Sequence, residues 1–333
     1  MMKKIVSFFG DNSKEFCELN DRAKAYAQTL GLEYLWAPQN PFDKESVIKQ
    51  LNQADAGIID VEPYDESIFK EIKSKTGLLV RYGVGYDKVD LEAATQYGIA
   101  IARTTAANSS GVAEMALTLM LASKRMINQN QACLRSGNWV KNVGHELIGG
   151  TVGILGFGNI GKKLANLLKG FDCRIVTYDQ SNSIEAIEEA GVELVSIEEL
   201  FKISDAISIH VPYCDATHNL VDKKLLSLMK TTAVIVNTAR GNIVDEDALY
   251  DVLSNNKIAG AGFDVFADEP LSMKSPLMKL DNMILTPHVS SQTMESNWNI
   301  YKMAIDICAD FFSKKQSKHI LNPDYLKNCD LDI

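Results

Sequence analysis

The chain has 333 residues, long enough for two domains that each bury a core. Apolar residues make up 46%, charged residues 23%, and the net charge is −9 without any Lys/Arg block. This balance speaks against nucleic acid or an anionic membrane as partner, so any anionic substrate needs local positive charge. No apolar run has the length of a membrane span. The start, Met1–Lys4, leads straight into Ile5–Phe9, too short for a signal-peptide core and read as a first strand. The six cysteines show no C-x-x-C spacing, which points to reduced thiols in a cytoplasmic protein and to no metal site.

Short apolar runs alternate with helical patterns throughout, the pattern of an α/β protein with mostly parallel sheets. In the first hundred residues strands are expected at 4–9, 33–36, 56–60, 78–82 and 99–101. Helices are expected near 14–30, 44–53, 65–75 and 89–97, giving a flavodoxin-like unit. One long helix is read from Ser109 to about Arg135, with Val112, Met115, Ala116, Leu119 and Met120 forming an apolar stripe. That stripe suits a core helix and equally a helix that bridges domains and joins a dimer. A second βα series has strands at 151–155, 174–178, 206–210, 233–237, 259–263 and 283–286. The last helix, about 291–313, has no sheet of its own and is expected to return to the first unit. The expected division is therefore 1–101 plus 290–333 as a substrate-binding domain and 102–289 as a Rossmann domain. Both are doubly wound parallel-sheet units, with the cleft between them as the ligand site.

Thr151–Gly161 (TVGILGFGNIG) is a buried strand running into Gly156-x-Gly158-x-x-Gly161 and a helix from Asn159. Gly156 permits a tight turn, Gly158 lets the backbone approach a pyrophosphate, and Gly161 lets helix and strand pack closely. A second strand, Arg174–Tyr178, ends at Asp179, placed to accept hydrogen bonds from a ribose diol and to repel a 2′-phosphate. The layout calls for NAD.

Three strand ends follow. Arg240 closes the run Val234–Gly241; alone it reads as a surface arginine, yet a guanidinium also holds a carboxylate bidentately. Asp264 ends a strand, and Glu269 is kept out of helix by Pro270. His288 follows Pro287; alone it reads as a hydrogen-bonded loop histidine, yet it also exchanges protons near neutral pH. Together they suit reduction of a 2-oxo acid. NADH gives the hydride, His288 the proton, Glu269 orients the imidazole and raises its pKa, and Arg240 binds the carboxylate. In the first unit, Arg81, Tyr82, Gly83, Val84 and Gly85 form a strand end and glycine loop. Its amides could nest the same carboxylate, with Arg81 or Tyr82 lining the side-chain pocket.

The chain resembles the D-isomer-specific 2-hydroxyacid dehydrogenase family. The resemblance spans nearly the whole length. It rests on Arg81–Asp90 (RYGVGYDKVD), Val112–Glu114, Gly137–Trp139, Glu146–Leu147, Gly156–Gly161, His210–Pro212, Asn237–Gly241, Asp264–Phe266, Glu269–Pro270 and Thr286–Val289. It implies that Arg240, Glu269 and His288 are the catalytic set and that Asp264 lies near the nicotinamide and shapes the pH profile. It implies further cofactor contacts at Asn159, Ile160, Val211, Pro212, Thr238 and Ala239, an R-configured product, and a homodimer built through the region after residue 108.

Relatives acting on 3-phosphoglycerate often carry basic residues after the strand matching 56–60. Here Asp60 and Glu62 stand there, and would repel a phosphate. The chain also ends at Ile333, without length for an appended regulatory domain. A small unphosphorylated 2-oxo acid is therefore the expected substrate. The alternatives are a D-3-phosphoglycerate dehydrogenase, for which Arg81 is the available cation, and an NAD(H)-sensing corepressor-like binding protein.

Overall fold

Parallel pairing builds two sheets from this chain. A computed structural model of the protein describes residues 2–39, 41–182, 184–314 and 317–329; the two chain ends, Met1 and Ile333, lie outside the described residues. The chain divides into one unit of Met1–Asn108 with Thr293–Ile333 and another of Ser109–Gln292. These boundaries lie a few residues beyond those drawn at 101/102 and 289/290. The last strand of the first sheet runs to Arg103, and Thr104 is tied back into that unit through Gly83 (2.9 Å from the Gly83 N–H to Thr104 Oγ1).

In the first unit the strands are β1 (Lys3–Ser7), β2 (Leu32–Trp36), β3 (Ala56–Ile59), β4 (Leu78–Arg81) and β5 (Ala100–Arg103). They lie in the order β2-β1-β3-β4-β5, all parallel, the flavodoxin-like arrangement. Ser13, Asp43, Asp65 and Asp90 each cap the helix that follows by accepting from its first-turn N–H groups, so the sequence itself marks where each helix begins. Helix Met294–Lys314 belongs to this unit. Ile300, Tyr301, Ala304 and Phe311 are buried in one cluster with Ile5, Tyr34 and Val80.

The second unit holds β6 (Thr151–Leu155), β7 (Arg174–Tyr178), β8 (Glu193–Leu194), β9 (Ala206–Ile209), β10 (Val234–Asn237), β11 (Gly260–Phe263) and β12 (Met283–Leu285). Their order is β12-β11-β10-β9-β6-β7-β8, again all parallel. The order reverses between β6 and β9, which is where doubly wound sheets open to ligands at their carboxyl ends. β8 escaped the sequence reading because two residues show no periodicity.

The single helix expected over 109–135 is two. Ser109–Lys124 packs on the sheet at Gly262, where an added Cβ would stand 2.8 Å from Leu119 Cβ. The helix stops where its last carbonyl is taken by a distant segment: the His145 N–H donates to Lys124 O at 2.8 Å. Met126 then turns through the left-handed region (φ 52°), and a second helix, Ile127–Arg135, leaves with no buried residue.

Candidate active site

Within the second unit the predicted residues gather at the carboxyl ends of the strands. Gly156 takes φ +99°, and a side chain there would strike the His210–Val211 backbone at 2.8 Å. A Cβ on Gly161 would lie 2.4 Å from Gly156 O, while nothing stands within 4 Å of one on Gly158. The fingerprint turn is thus packed on two sides and open on the third. Helix Asn159–Leu168 starts at that opening, with Asn159 exposed and Ile160 half-buried, so its N-terminal amides face the same way.

Asp179 at the end of β7 is fixed by four donors. Oδ2 accepts from Phe157 N at 2.7 Å; Oδ1 accepts from Ser181 N and Asn182 N, both at 2.7 Å, and from Asn182 Nδ2 at 2.9 Å. Burial alone would raise its pKa, but these bonds outweigh burial and hold the carboxyl below its usual value. It therefore stands as an anion beside the turn.

At the end of β10 the Thr238 hydroxyl is buried without a partner. Val211 and Pro212 follow β9 next to it. An orphaned buried hydroxyl, a glycine cradle that a Cβ would fill and a fixed carboxylate together fit a dinucleotide. Ala239 N is already spent on Asn237 Oδ1 at 2.9 Å.

Arg240 follows on the same β10 exit, and the exits of β11 and β12 carry Glu269 and His288. Asn237 shapes the first: its Nδ2 donates to Arg240 O at 2.8 Å, folding the turn that presents the guanidinium. The exits are joined through Gly241, where a Cβ would lie 1.8 Å from Phe266 C. Backbone therefore touches backbone between the loop bearing Arg240 and the loop leading to Glu269. Glu269 Oε1 accepts from Phe266 N at 3.1 Å, and Oε2 meets His288 Nδ1 at 2.8 Å. Burial acts to raise the Glu269 pKa. The His288 hydrogen bond and charge, with the Phe266 amide and Arg240, overcome it and hold Glu269 below its ordinary value. The pair is 40% and 37% exposed, and Nδ1 is the ring nitrogen that Glu269 engages. His288 itself sits at φ +54°, a conformation costing about 1–2 kcal/mol for a residue with a Cβ.

Asp264, an expected neighbour of the cofactor, already has partners within the protein. Asp264 is fully buried, and its carboxylate is filled from within. Oδ1 accepts from Thr286 Oγ1 (2.6 Å) and Val289 N (2.9 Å); Oδ2 accepts from Ser290 N (2.8 Å) and from the Ser290 hydroxyl. It fastens the His288 segment instead of facing outward. Thr286 and Ser290 were not singled out in the sequence. The only signal was a hydroxyl residue on each side of Pro287–Val289, too common to carry weight.

In the first unit the glycine loop departs from expectation. Tyr82 is a core residue: its ring stacks on Phe9 with centroids 3.5 Å apart, and its hydroxyl donates to Asn297 Oδ1 at 3.0 Å. Its amide is used by Ile59 O at 2.8 Å, and the Gly83 amide by Thr104. Of the expected nest, the Val84 and Gly85 amides are what is left for an anion. Arg81 is buried beneath the loop, donates to Tyr82 O, and lies 3.6 Å from Asp60. Asp60 thus balances a cation and is not a bare repelling carboxylate.

Known proteins share the fold and a substantial part of the sequence. Residues 117–290 match the family described as D-isomer specific 2-hydroxyacid dehydrogenase, NAD binding domain. Glyoxylate reductase of Korarchaeum cryptofilum is 34% identical over 88% of this chain and 90% of its own length. D-3-phosphoglycerate dehydrogenase of Archaeoglobus fulgidus is also 34% identical, but this chain covers only 54% of it. The structure of a D-2-hydroxyisocaproate dehydrogenase superposes with a TM-score of 0.85 at 26% identity, covering 96% of this chain and 99% of that one. The chain belongs to the D-isomer specific 2-hydroxyacid dehydrogenase family. It is an NAD-dependent oxidoreductase acting on 2-hydroxy acids.

Proposed function

We propose that the protein reversibly reduces a small, unphosphorylated 2-oxo acid to its D-2-hydroxy acid, with His288 as the acid and base. The observation that carries the roles is the 2.8 Å contact between His288 Nδ1 and Glu269 Oε2, which leaves Nε2 to face the reactant. Arg240 pairs the substrate carboxylate and polarises the adjacent carbonyl. His288, as imidazolium, gives its Nε2 proton to the carbonyl oxygen as C2 is reduced, and takes it back in the reverse direction. Glu269 holds the ring and stabilises its charge. Gly156, Gly158, Asn159, Ile160, Gly161, Asp179, Val211, Pro212 and Thr238 would hold NAD(H), which would supply or accept the hydride when bound.

Several relatives are glyoxylate reductases, which favours short substrates. The Arg81–Asp60 pair favours the unphosphorylated class, because a cation already balanced by a carboxylate attracts a phosphate weakly. The test is NADH oxidation against glyoxylate, pyruvate, hydroxypyruvate, phenylpyruvate and oxaloacetate, with 3-phosphoglycerate and NAD run in reverse. Turnover of 3-phosphoglycerate alone would overturn the reading. Measurable NADH binding without turnover of any substrate would favour the sensor alternative. Asp60→Asn should raise kcat/KM for 3-phosphoglycerate relative to a small 2-hydroxy acid by roughly tenfold, about 1.4 kcal/mol. An unchanged ratio would remove Asp60 from the specificity argument.

We also propose a cytoplasmic homodimer. Helix Ile127–Arg135 and the segment after it expose Ile127 (52%), Leu134 (59%), Trp139 (82%), Val143 (87%) and Ile148 (64%), a concentration of apolar surface typical of an interface. Sedimentation equilibrium should give twice the 36.8 kDa chain mass; the monomer mass at micromolar concentration would refute it.

A further inference from the structure

His288 is more than a third exposed, so core packing does not hold its imidazole. Its position depends on Glu269 at one end of the side chain and on its own backbone at the other. That backbone is at φ +54° and donates to the Asp264 carbonyl at 2.8 Å. Asp264 in turn grips both flanks of the histidine. Thr286 Oγ1 and the Val289 amide meet Oδ1, and the amide and hydroxyl of Ser290 meet Oδ2. Asp264 and Ser290 are buried, so water is a poor substitute for a lost donor.

We propose that Thr286 and Ser290 are positioning residues for the reaction: through the Asp264 carboxylate, their hydroxyls lock the backbone on either side of His288 and so fix its imidazole against Glu269. The inference rests on the acid/base role of His288. Without the Ser290 hydroxyl, Oδ2 keeps one of its two donors. Without the Thr286 hydroxyl, Oδ1 likewise keeps one. Asp264 then has room to shift within its site, and the left-handed turn loses the restraint that makes it the favoured conformer. The ring swings relative to Glu269, and the charged pair weakens.

The experiment compares Ser290→Ala and Thr286→Val, singly and together, with the hydroxyl-retaining Ser290→Thr and Thr286→Ser. Each alanine or valine variant should lower kcat roughly tenfold, as partial misplacement of an acid does, with KM and the NADH Kd within about twofold of wild type. The His288 Hε1 resonance, assigned by its loss in His288→Gln, should titrate at lower pH in Ser290→Ala than in wild type, because the imidazolium has lost part of its partner. The hydroxyl-retaining variants should restore both readings. A change in thermal stability alone, with kcat and the titration midpoint unmoved, would overturn the proposal. So would equal defects in Ser290→Ala and Ser290→Thr. The titration needs no substrate, so it separates this inference from the reading beneath it. If His288→Gln turns over at the wild-type rate, the acid/base role falls whatever Ser290 does.

Discussion

Replacing His288 by glutamine is expected to lower kcat for 2-oxo acid reduction by about 10²–10⁴-fold, the usual worth of a positioned proton donor. NADH should bind almost as tightly as to the wild type. The two effects separate because the residues come from different strand exits. The cofactor-fitting groups lie at the ends of β6, β7, β9 and β10, whereas His288 follows β12. Glutamine also keeps an amide within reach of Glu269, so the loop should stay folded while the exchangeable proton is lost. Stopped-flow reduction and NADH fluorescence titration measure the two quantities independently. Unchanged turnover would show that the proton comes from elsewhere. Equal losses in kcat and NADH affinity would show that His288 supports the cofactor site, and that the 2.8 Å contact with Glu269 serves the fold.

The second large effect is expected at a residue that touches no reactant. Gly241→Ala would place a methyl 1.8 Å from Phe266 C, 2.2 Å from Phe266 O and 2.3 Å from Ala267 N. All three are backbone atoms, so no side chain can rotate away. The loop bearing Arg240 and the loop leading to Glu269 must part by more than an ångström. Misplacement on that scale costs roughly 10²-fold in rate, and overpacking a buried seam costs about 1–3 kcal/mol in stability. Both kcat/KM and Tm should therefore fall, kcat/KM by roughly 10²-fold or more. A folded Gly241→Ala enzyme of wild-type kcat/KM would mean that Arg240 and Glu269 need not be held in a fixed relation. It would also mean that the close backbone seam does not require glycine after the arginine.

Strand and helix positions were readable because burial on both faces writes parallel strands as short apolar runs, and because Ser13, Asp43, Asp65 and Asp90 announce the helices. The glycine fingerprint was readable for a similar reason: each glycine answers a local clash, at Gly156 with the His210–Val211 backbone and at Gly161 with Gly156 O. The nomination of Arg240, Glu269 and His288 also came from sequence, since all three stand at strand exits and their chemistry suits one reaction.

What the sequence could not hold were relations between distant residues. The helix that begins at Ser109 ends at Lys124 with no Gly or Pro to stop it, because His145 returns to take its carbonyl. Tyr82 reads as a pocket-lining residue until Phe9 and Asn297 claim its ring and hydroxyl. Arg81 reads as an available cation until the fold sets Asp60 beside it. Asp264 ends a strand in the sequence, and only the fold sets Thr286, Val289 and Ser290 on its oxygens. In each case a hydrogen-bonding or charged group had more than one way to be satisfied. Local sequence determines that such a group must find a partner, since leaving it buried and unpaired is costly. Only the tertiary structure, by bringing together strand exits far apart in the chain, decides which partner it finds.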